Sequence, residues 1–410
     1  MVAIVAAACG GSAAPTPSAG AERAIVADVV AHEAAAVPGP APQTGAGAAA
    51  TTPPTSAAEA VPASAAECDG SMVFEHPPVD LDAIEAIVPL GLMYDSHVTP
   101  VDHQYFQNFR DPDRWIDVFS PGAGRVTSIQ HMNAPVADVG SYEVDDYRLV
   151  IEHSCTISSI FIHVGSLSPR LAEVAPEPGR HASVDVAVEA GELIGVYQRN
   201  VDYNVVDLDF TTDRLLVPEH YAAEPWKIHT PDPFAYFTDE IRSRMESLSL
   251  RSAEPRGGVF AYDVDGRLLG NWFVAGSGGY GGVGPPRYWS THLAVAYDHL
   301  DPSTIVVSLG DFDGRSRQFG VAGNAPDPAD VSVDDGVVAY ELVELDYWVD
   351  GARWDRVGLV SGIAARGYDQ VHGVVLFELV DDRTLRVEVL PGADVDSVTG
   401  FTESALTYER

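Results

Sequence analysis

YRLVIEHSCTISSIFIHVGSL, residues 147–167, decides the reading of this chain. YRLVIEH (147–153) and TISSIFIHV (156–164) are rich in β-branched residues and partly alternate apolar with polar. A half-buried strand needs that pattern, because successive side chains point to opposite faces of a sheet. Outward from there, SPGAGRV (120–126) reads as a turn feeding the strand RVTSI (125–129), and VEAGELIGV (188–196) as strand, turn, strand. Gly122, Gly124, Gly140, Gly165, Gly191 and Gly195 punctuate these segments. Residues 67–225 are therefore expected to form an antiparallel, sandwich-like β domain.

Strand patterns return in residues 251–410. VFAYDVDGRLLGNWF (259–273) is a hairpin candidate around Asp265-Gly266. HLAVAYD, STIVVSLGDF, GVVAYELVEL, RVGLVSGIAA (356–365), GVVLFELVDD and TLRVEVLPG follow, as expected of a C-terminal β-barrel or β-sandwich. Trp272 and Phe273 read as core. Between the two units, PDPFAYFTDEIRSRMESL (231–248) reads as one connecting helix within 226–250. Thr230 or Asp232 can cap it, Pro231 or Pro233 suits its first turn, and Phe234, Phe237, Ile241 and Met245 share a face. GSGGYGGVGPP (276–286) is a flexible loop placed to cover a site; it lacks the lysine and the strand–loop–helix context of a phosphate-binding loop. The D-x-D-G segments at 263–266 and 311–314 read as turns, too short for a calcium loop.

The 410 residues, 46% apolar, allow two or three packed domains. The formal net charge is −36, from 60 acids against 24 bases, and Lys227 is the only lysine. Such a field repels phosphate backbones, so nucleic acid is not expected as a partner. MVAIVAAAC resembles a lipoprotein signal: residues 1–9 form an apolar run with small residues before Cys9, the expected lipidation site. Residues 10–66 are Ala, Pro, Gly, Thr and Ser with almost no large apolar side chains, and read as a disordered stalk. The protein is thus expected outside the cytoplasm, held to a membrane by a lipid anchor. Disulfides persist there, so Cys68 and Cys155 form a bridge or remain two separate thiols.

Taken in order, HVTPVDHQYF (97–106), FSPGAGRVTSI (119–129), 147–167, VEAGELIGV and YNVVDLDF (203–210) resemble the lysostaphin-type, LytM-like zinc endopeptidases of bacterial cell walls. The resemblance covers roughly residues 95–210. That family supplies its chemistry from H-x-x-x-D, a later assisting histidine, and a closing H-x-H. Carried onto this sequence, His97 takes the place of the first metal ligand and Asp102 the second, with one more residue between them than in the family. His103 is an alternative to His97. His163, in FIHVGSL, matches the assisting histidine, and His153 has a counterpart in the family's strand with a structural role. His131, His181, His220 and His229 fall in expected loops. Where H-x-H is expected, the chain reads Asp207-Leu208-Asp209, so Asp209 stands in the ligand position and Asp207 in the catalytic one.

Those acids leave three readings open. His97, Asp102 and Asp209 can hold zinc or a harder divalent cation, because one imidazole with two carboxylates is a harder set than the usual one. The domain can be an active hydrolase, although a carboxylate at Asp207 stabilises an oxyanion only when protonated. Or it carries no metal and is degenerate. The leading expectation is the last: a non-catalytic binding, scaffolding or regulatory module of the cell envelope, with a wall glycan, wall peptide or envelope protein as partner. The alternative is a metal-dependent peptidoglycan or peptide hydrolase.

Overall fold

A computed structural model describes residues 72–132, 145–284 and 287–410. Strands dominate it, as the sequence predicts. A seven-stranded antiparallel sheet is built from β1 (Ala86–Val88), β2 (Gln104–Gln107), β4 (Gly124–His131), β5 (Tyr147–Glu152), β6 (Ile157–Val164), β8 (Arg180–Val188) and β10 (Asn200–Asp207). Their order is β1-β2-β10-β6-β5-β4-β8. A smaller sheet of β3 (Ile116–Phe119), β9 (Leu193–Tyr197) and β7 (Ser166–Leu167) faces it. Between them lies a core that takes Phe106, Leu149, Ile151, Phe161, Val201, Tyr203 and Val205 from the large sheet and Ile116, Val118, Ile194 and Tyr197 from the small one.

The period of two explains why the large sheet has a second, polar face. On β10, Val201, Tyr203 and Val205 enter the core, so Asn200, Asp202 and Asn204 must point the other way. All three are nonetheless buried, because the C-terminal half of the chain packs over that face. Two segments cross at the seam, where the Leu90 N–H donates to the Gly257 carbonyl at 2.9 Å. Gly258 has φ +98° there, and a Cβ on it would lie 2.4 Å from the Leu90 carbonyl oxygen. Only glycine fits both the conformation and the space.

The C-terminal strands are β11 (Gly270–Val274), β12 (His292–Tyr297), β13 (Ile305–Phe312), β14 (Arg315–Val321), β15 (Val338–Val349), β16 (Ala352–Arg353), β17 (Ala364–Asp381), β18 (Thr384–Pro391) and β19 (Leu406–Glu409). They run β14-β13-β12-β11-β19-β18-β17-β15, and β14 pairs back onto β15. This closes an eight-stranded barrel, with β16 only extending β15. Of the expected barrel or sandwich, the chain forms the barrel. Trp272 is fully buried in its interior.

Several local expectations are corrected. The helix expected over 231–248 is shorter: α2 spans Asp239–Leu248, after a separate 3-10 turn at Pro233–Tyr236. (α1 is the single turn Pro169–Ala172.) Phe237 is extended and buried between them, so each turn starts with its own cap: Asp232 accepts from the Phe234 N–H and Thr238 from the Ile241 N–H. No hairpin forms at 265–266, because the arm before the turn is not a strand. The Asp263 carboxylate instead accepts the N–H groups of Asn271 and Leu216, at 2.7 and 3.0 Å. RVGLVSGIAA is loop up to Ile363, and β17 begins at Ala364. His131 and His181 sit on β4 and β8 rather than in loops.

Candidate functional site

The polar face of the large sheet floors a cavity of about 80 Å³ lined by His97, Asp102, His103, Arg148, Asn204, Glu224, Trp226, Lys227 and Tyr280, among others. Three stretches meet there. Residues 97–103 run into β2. The turn Pro225–His229 carries Trp226 and Lys227. The glycine-rich loop of the barrel delivers Tyr280.

At the centre stands Lys227, buried. Its Nζ donates to Asp102 Oδ1 at 2.9 Å, pairs with Glu224 Oε2 at 3.1 Å, and lies 4.6 Å from the centre of the Tyr280 ring. An ammonium has three N–H donors and no acceptor, and here it faces two carboxylates and one aromatic face. The Trp226 indole N–H takes the other oxygen, Asp102 Oδ2, at 3.1 Å. Burial alone would push Asp102 up and Lys227 down; their mutual attraction, with Glu224 on the lysine and His103 on the aspartate, outweighs it and moves both the other way. Both groups are therefore charged at neutral pH.

A chain of titratable groups leads away from this pair. His103 Nδ1 is 3.4 Å from Asp102 Oδ1, and its Nε2 is 3.6 Å from Asp202 Oδ2 and 2.9 Å from the Tyr105 hydroxyl. His163 Nε2 is also 3.6 Å from Asp202 Oδ2, and its Nδ1 is 3.1 Å from Asp146 Oδ2. His163 reaches this face through a β-bulge. Between Tyr147↔Val164 and Leu149↔Phe161, one residue of β5 opposes two of β6, and His163 takes φ +70°. Plain alternation would send it into the core beside Phe161; the bulge re-aims it towards Asp202.

The barrel covers the cavity. His292 holds the Tyr280 carbonyl with its Nε2–H at 3.0 Å, and burial depresses the His292 pKa to about 3. Arg148 spreads its guanidinium over the Trp226 ring at 4.7 Å.

Of the residues the sequence singles out, His97, Asp102 and His103 line the cavity, and His163 lies one carboxylate beyond it. Asp207 and Asp209 are not brought there. Asp207 is five residues further along β10 than Asp202, about 17 Å at strand rise. That odd offset also turns it to the opposite face, where the Tyr236 hydroxyl donates to its Oδ2 at 2.5 Å. Asp209 is exposed beyond the strand, and its N–H donates to Asp207 Oδ1. Asp202 and Asn204 occupy the polar face instead. His153 bonds Ser159 Oγ and the Ala123 carbonyl, a packing role. Cys155 is disulfide-bonded; Cys9 and Cys68 lie outside the described residues. Sequence reasoning missed Lys227, Glu224, Asp202 and Asp146. The signals were a lone lysine and the N-V-D-Y-N alternation at 200–204.

Zinc does not fit these residues as they stand. Both Asp102 oxygens are engaged, and an ammonium sits against them. A catalytic zinc needs three protein ligands and an open position. Among the described residues, no group of three or more His, Cys, Asp or Glu side chains is arranged to hold a metal ion.

The site thus belongs to a mainly β protein with an ion-paired, buried pocket under a barrel. No known family model matches the sequence, and no curated protein is similar to it. Among solved structures it is similar to a zinc-containing peptidase from Vibrio cholerae, at 18% identity and TM-score 0.23 over 34% of this chain and 38% of that one. It is also similar to the SpoIIQ–SpoIIIAH pore-forming complex, at 12% identity and TM-score 0.23 over 34% of this chain and 86% of that one. Lysostaphin aligns at 8% identity and TM-score 0.18, over 55% of this chain and 84% of its own. The chain thus spans well under half of the Vibrio peptidase.

Proposed function

We propose that this protein is a non-catalytic binding or regulatory module of the cell envelope, carried on a β scaffold of the LytM peptidase type. One observation carries the reading: the Lys227 ammonium lies between Asp102 and Glu224, inside the cavity where His97 and His103 converge. Hydrolysis through a metal needs Asp102 free to bind it, and here the carboxylate is neutralised by the chain's own side chain. The partner we expect is a wall glycan, a wall peptide or an envelope protein, met outside the cytoplasm.

The test is metal content after purification, together with turnover on peptidoglycan fragments. The reading expects no stoichiometric metal and no release of peptide or sugar. Bound metal, with turnover abolished in His163→Ala, would replace it with the hydrolase. The observation that favours that second reading is the run of buried acids and imidazoles, His103, Asp202, His163 and Asp146, which stand within ion-pair distance of one another.

A further inference from the structure

We propose that the cavity over the large sheet is a carboxylate-binding site. In it the Arg148 guanidinium, aided by the side-chain amides of Gln130 and Asn204, receives the free C-terminal carboxylate of a peptide that ends in small residues. The proposal deepens the reading of the protein as a binding module that meets a wall peptide, and rests on that reading for its biological sense.

Three observations support it. First, Arg148 is a cation with no acid of its own. It stacks on Trp226 at 4.7 Å, and its Nε–H is buried without an acceptor. Burial lowers its pKa, and Glu224 and Asp102 are near enough to oppose that effect. Both of those carboxylates, however, are held by Lys227. A guanidinium carries five N–H donors in a planar fork that matches a carboxylate. Leaving such donors buried and unused is costly, and a ligand that accepts from them removes the cost. Second, the sheet register sets amides on the same face. Gln130 of β4 stands directly opposite Arg148 of β5, and both turn away from the core that takes Ile129 and Leu149. Asn204 rises from β10 and is only 3% exposed. All three line the cavity. Among the described residues, no group hydrogen-bonds the side-chain amide of Gln130 or Asn204.

Third, size and charge select the ligand. The cavity is about 80 Å³, room for a few water-sized groups of about 30 Å³ each. It therefore admits the end of a chain and not a sugar ring. Val101, Met132, Ile160 and Ile162 supply apolar lining, which suits the methyl group of a small terminal residue. Lys227 and Arg148 together balance Asp102 and Glu224. A single negative charge can then join Arg148, whereas a phosphate dianion would meet the two acids with charge in excess.

The experiment titrates the full chain by calorimetry with N-acetyl-alanyl-alanine, its C-terminal amide, acetate and glucuronate. The dipeptide acid is expected to bind at one site, at least tenfold more tightly than the other three. Arg148→Met, its fold checked by Tm, is expected to bind it at least tenfold more weakly. No saturable binding of the dipeptide acid overturns the proposal. So does equal binding of the amide, of acetate or of glucuronate, and so does a folded Arg148→Met that binds like the unsubstituted protein. Should Arg148→Met fail to fold, Gln130→Ala decides. At least threefold weaker binding is expected there, and an unchanged affinity overturns the proposal. Turnover on peptidoglycan fragments would end the non-catalytic reading while leaving these outcomes intact, and a failed titration leaves the metal and turnover test of that reading untouched.

Discussion

Asp102 is the residue on which the pocket turns. Its carboxylate is buried and joins Lys227, Trp226 and His103. Replacing it by alanine leaves a buried ammonium with Glu224 as its only carboxylate partner. Removing one member of such a pair costs about 3–5 kcal/mol, so Asp102→Ala should lower the urea midpoint strongly. Asp207 offers the contrast. It answers the Tyr236 hydroxyl on the other face of β10, so Asp207→Ala should cost only about 1–3 kcal/mol. Lys227 should stay as resistant to acylation as before. Equal effects of the two substitutions on Lys227 reactivity would mean that the faces are not separate.

At the scale of elements, the bulge in β6 matters most. His163 holds φ +70°, a conformation that asparagine tolerates and a β-branched residue does not. Both His163→Asn and His163→Val remove the imidazole, and valine in addition places a β-branched side chain at the left-handed φ. Valine should be worse by about 1–2 kcal/mol, read from denaturant melts; equal stabilities would argue against the bulge. Much of this element was legible in the sequence, since β-branched alternation in 147–164 marks two strands and places His163 near their end. What was not legible was register. NVDYNVVDLD (200–209) offers Asp207-x-Asp209 as readily as Asp202-x-Asn204, and a strand shifted by an odd number presents the wrong face. The polar alternation Asn200, Asp202, Asn204 against Val201, Tyr203, Val205 resolves the choice once a covered second face is known. The helix is a smaller case: Phe234, Phe237 and Met245 are buried in one core with Ile241 packed against it, but only Ile241 and Met245 lie on α2, because an extended Phe237 breaks the run. Lys227 was visible as a lone lysine, yet its partner Asp102 is 125 residues away, and only the docked barrel explains its burial.

For the whole molecule, charge and protons set the conditions. With a net charge of −36, self-repulsion weakens the folded state, and salt screens it. Tm should therefore rise as NaCl increases from about 10 mM to about 1 M, over which the screening length shrinks from about 30 to 3 Å. The acid limb has its own cause. Burial lowers His292 to about 3 and His153 to about 4, from an ordinary 6.5. Below pH 6.5 the unfolded chain binds protons that the folded chain refuses, so stability falls as pH drops from 6.5 towards 4. Asp232, raised by burial to about 6, and Asp263, also raised by burial, act in the opposite sense as pH falls towards 3.8, so the two histidines set the sign at the upper end of this window, between about 6.5 and 6. A Tm that climbs on acidification through this window would refute the buried, neutral histidines.

Diffraction from crystals soaked in Zn²⁺ or Mn²⁺, measured at the metal's absorption edge, addresses the pocket most directly. The expected map has no anomalous peak between Asp102 and Glu224, and shows Lys227 Nζ within hydrogen-bond reach of both carboxylates. A strong peak at that position, with the lysine swung away and His97 or His103 turned onto the ion, would mean that the protein is a metal site after all.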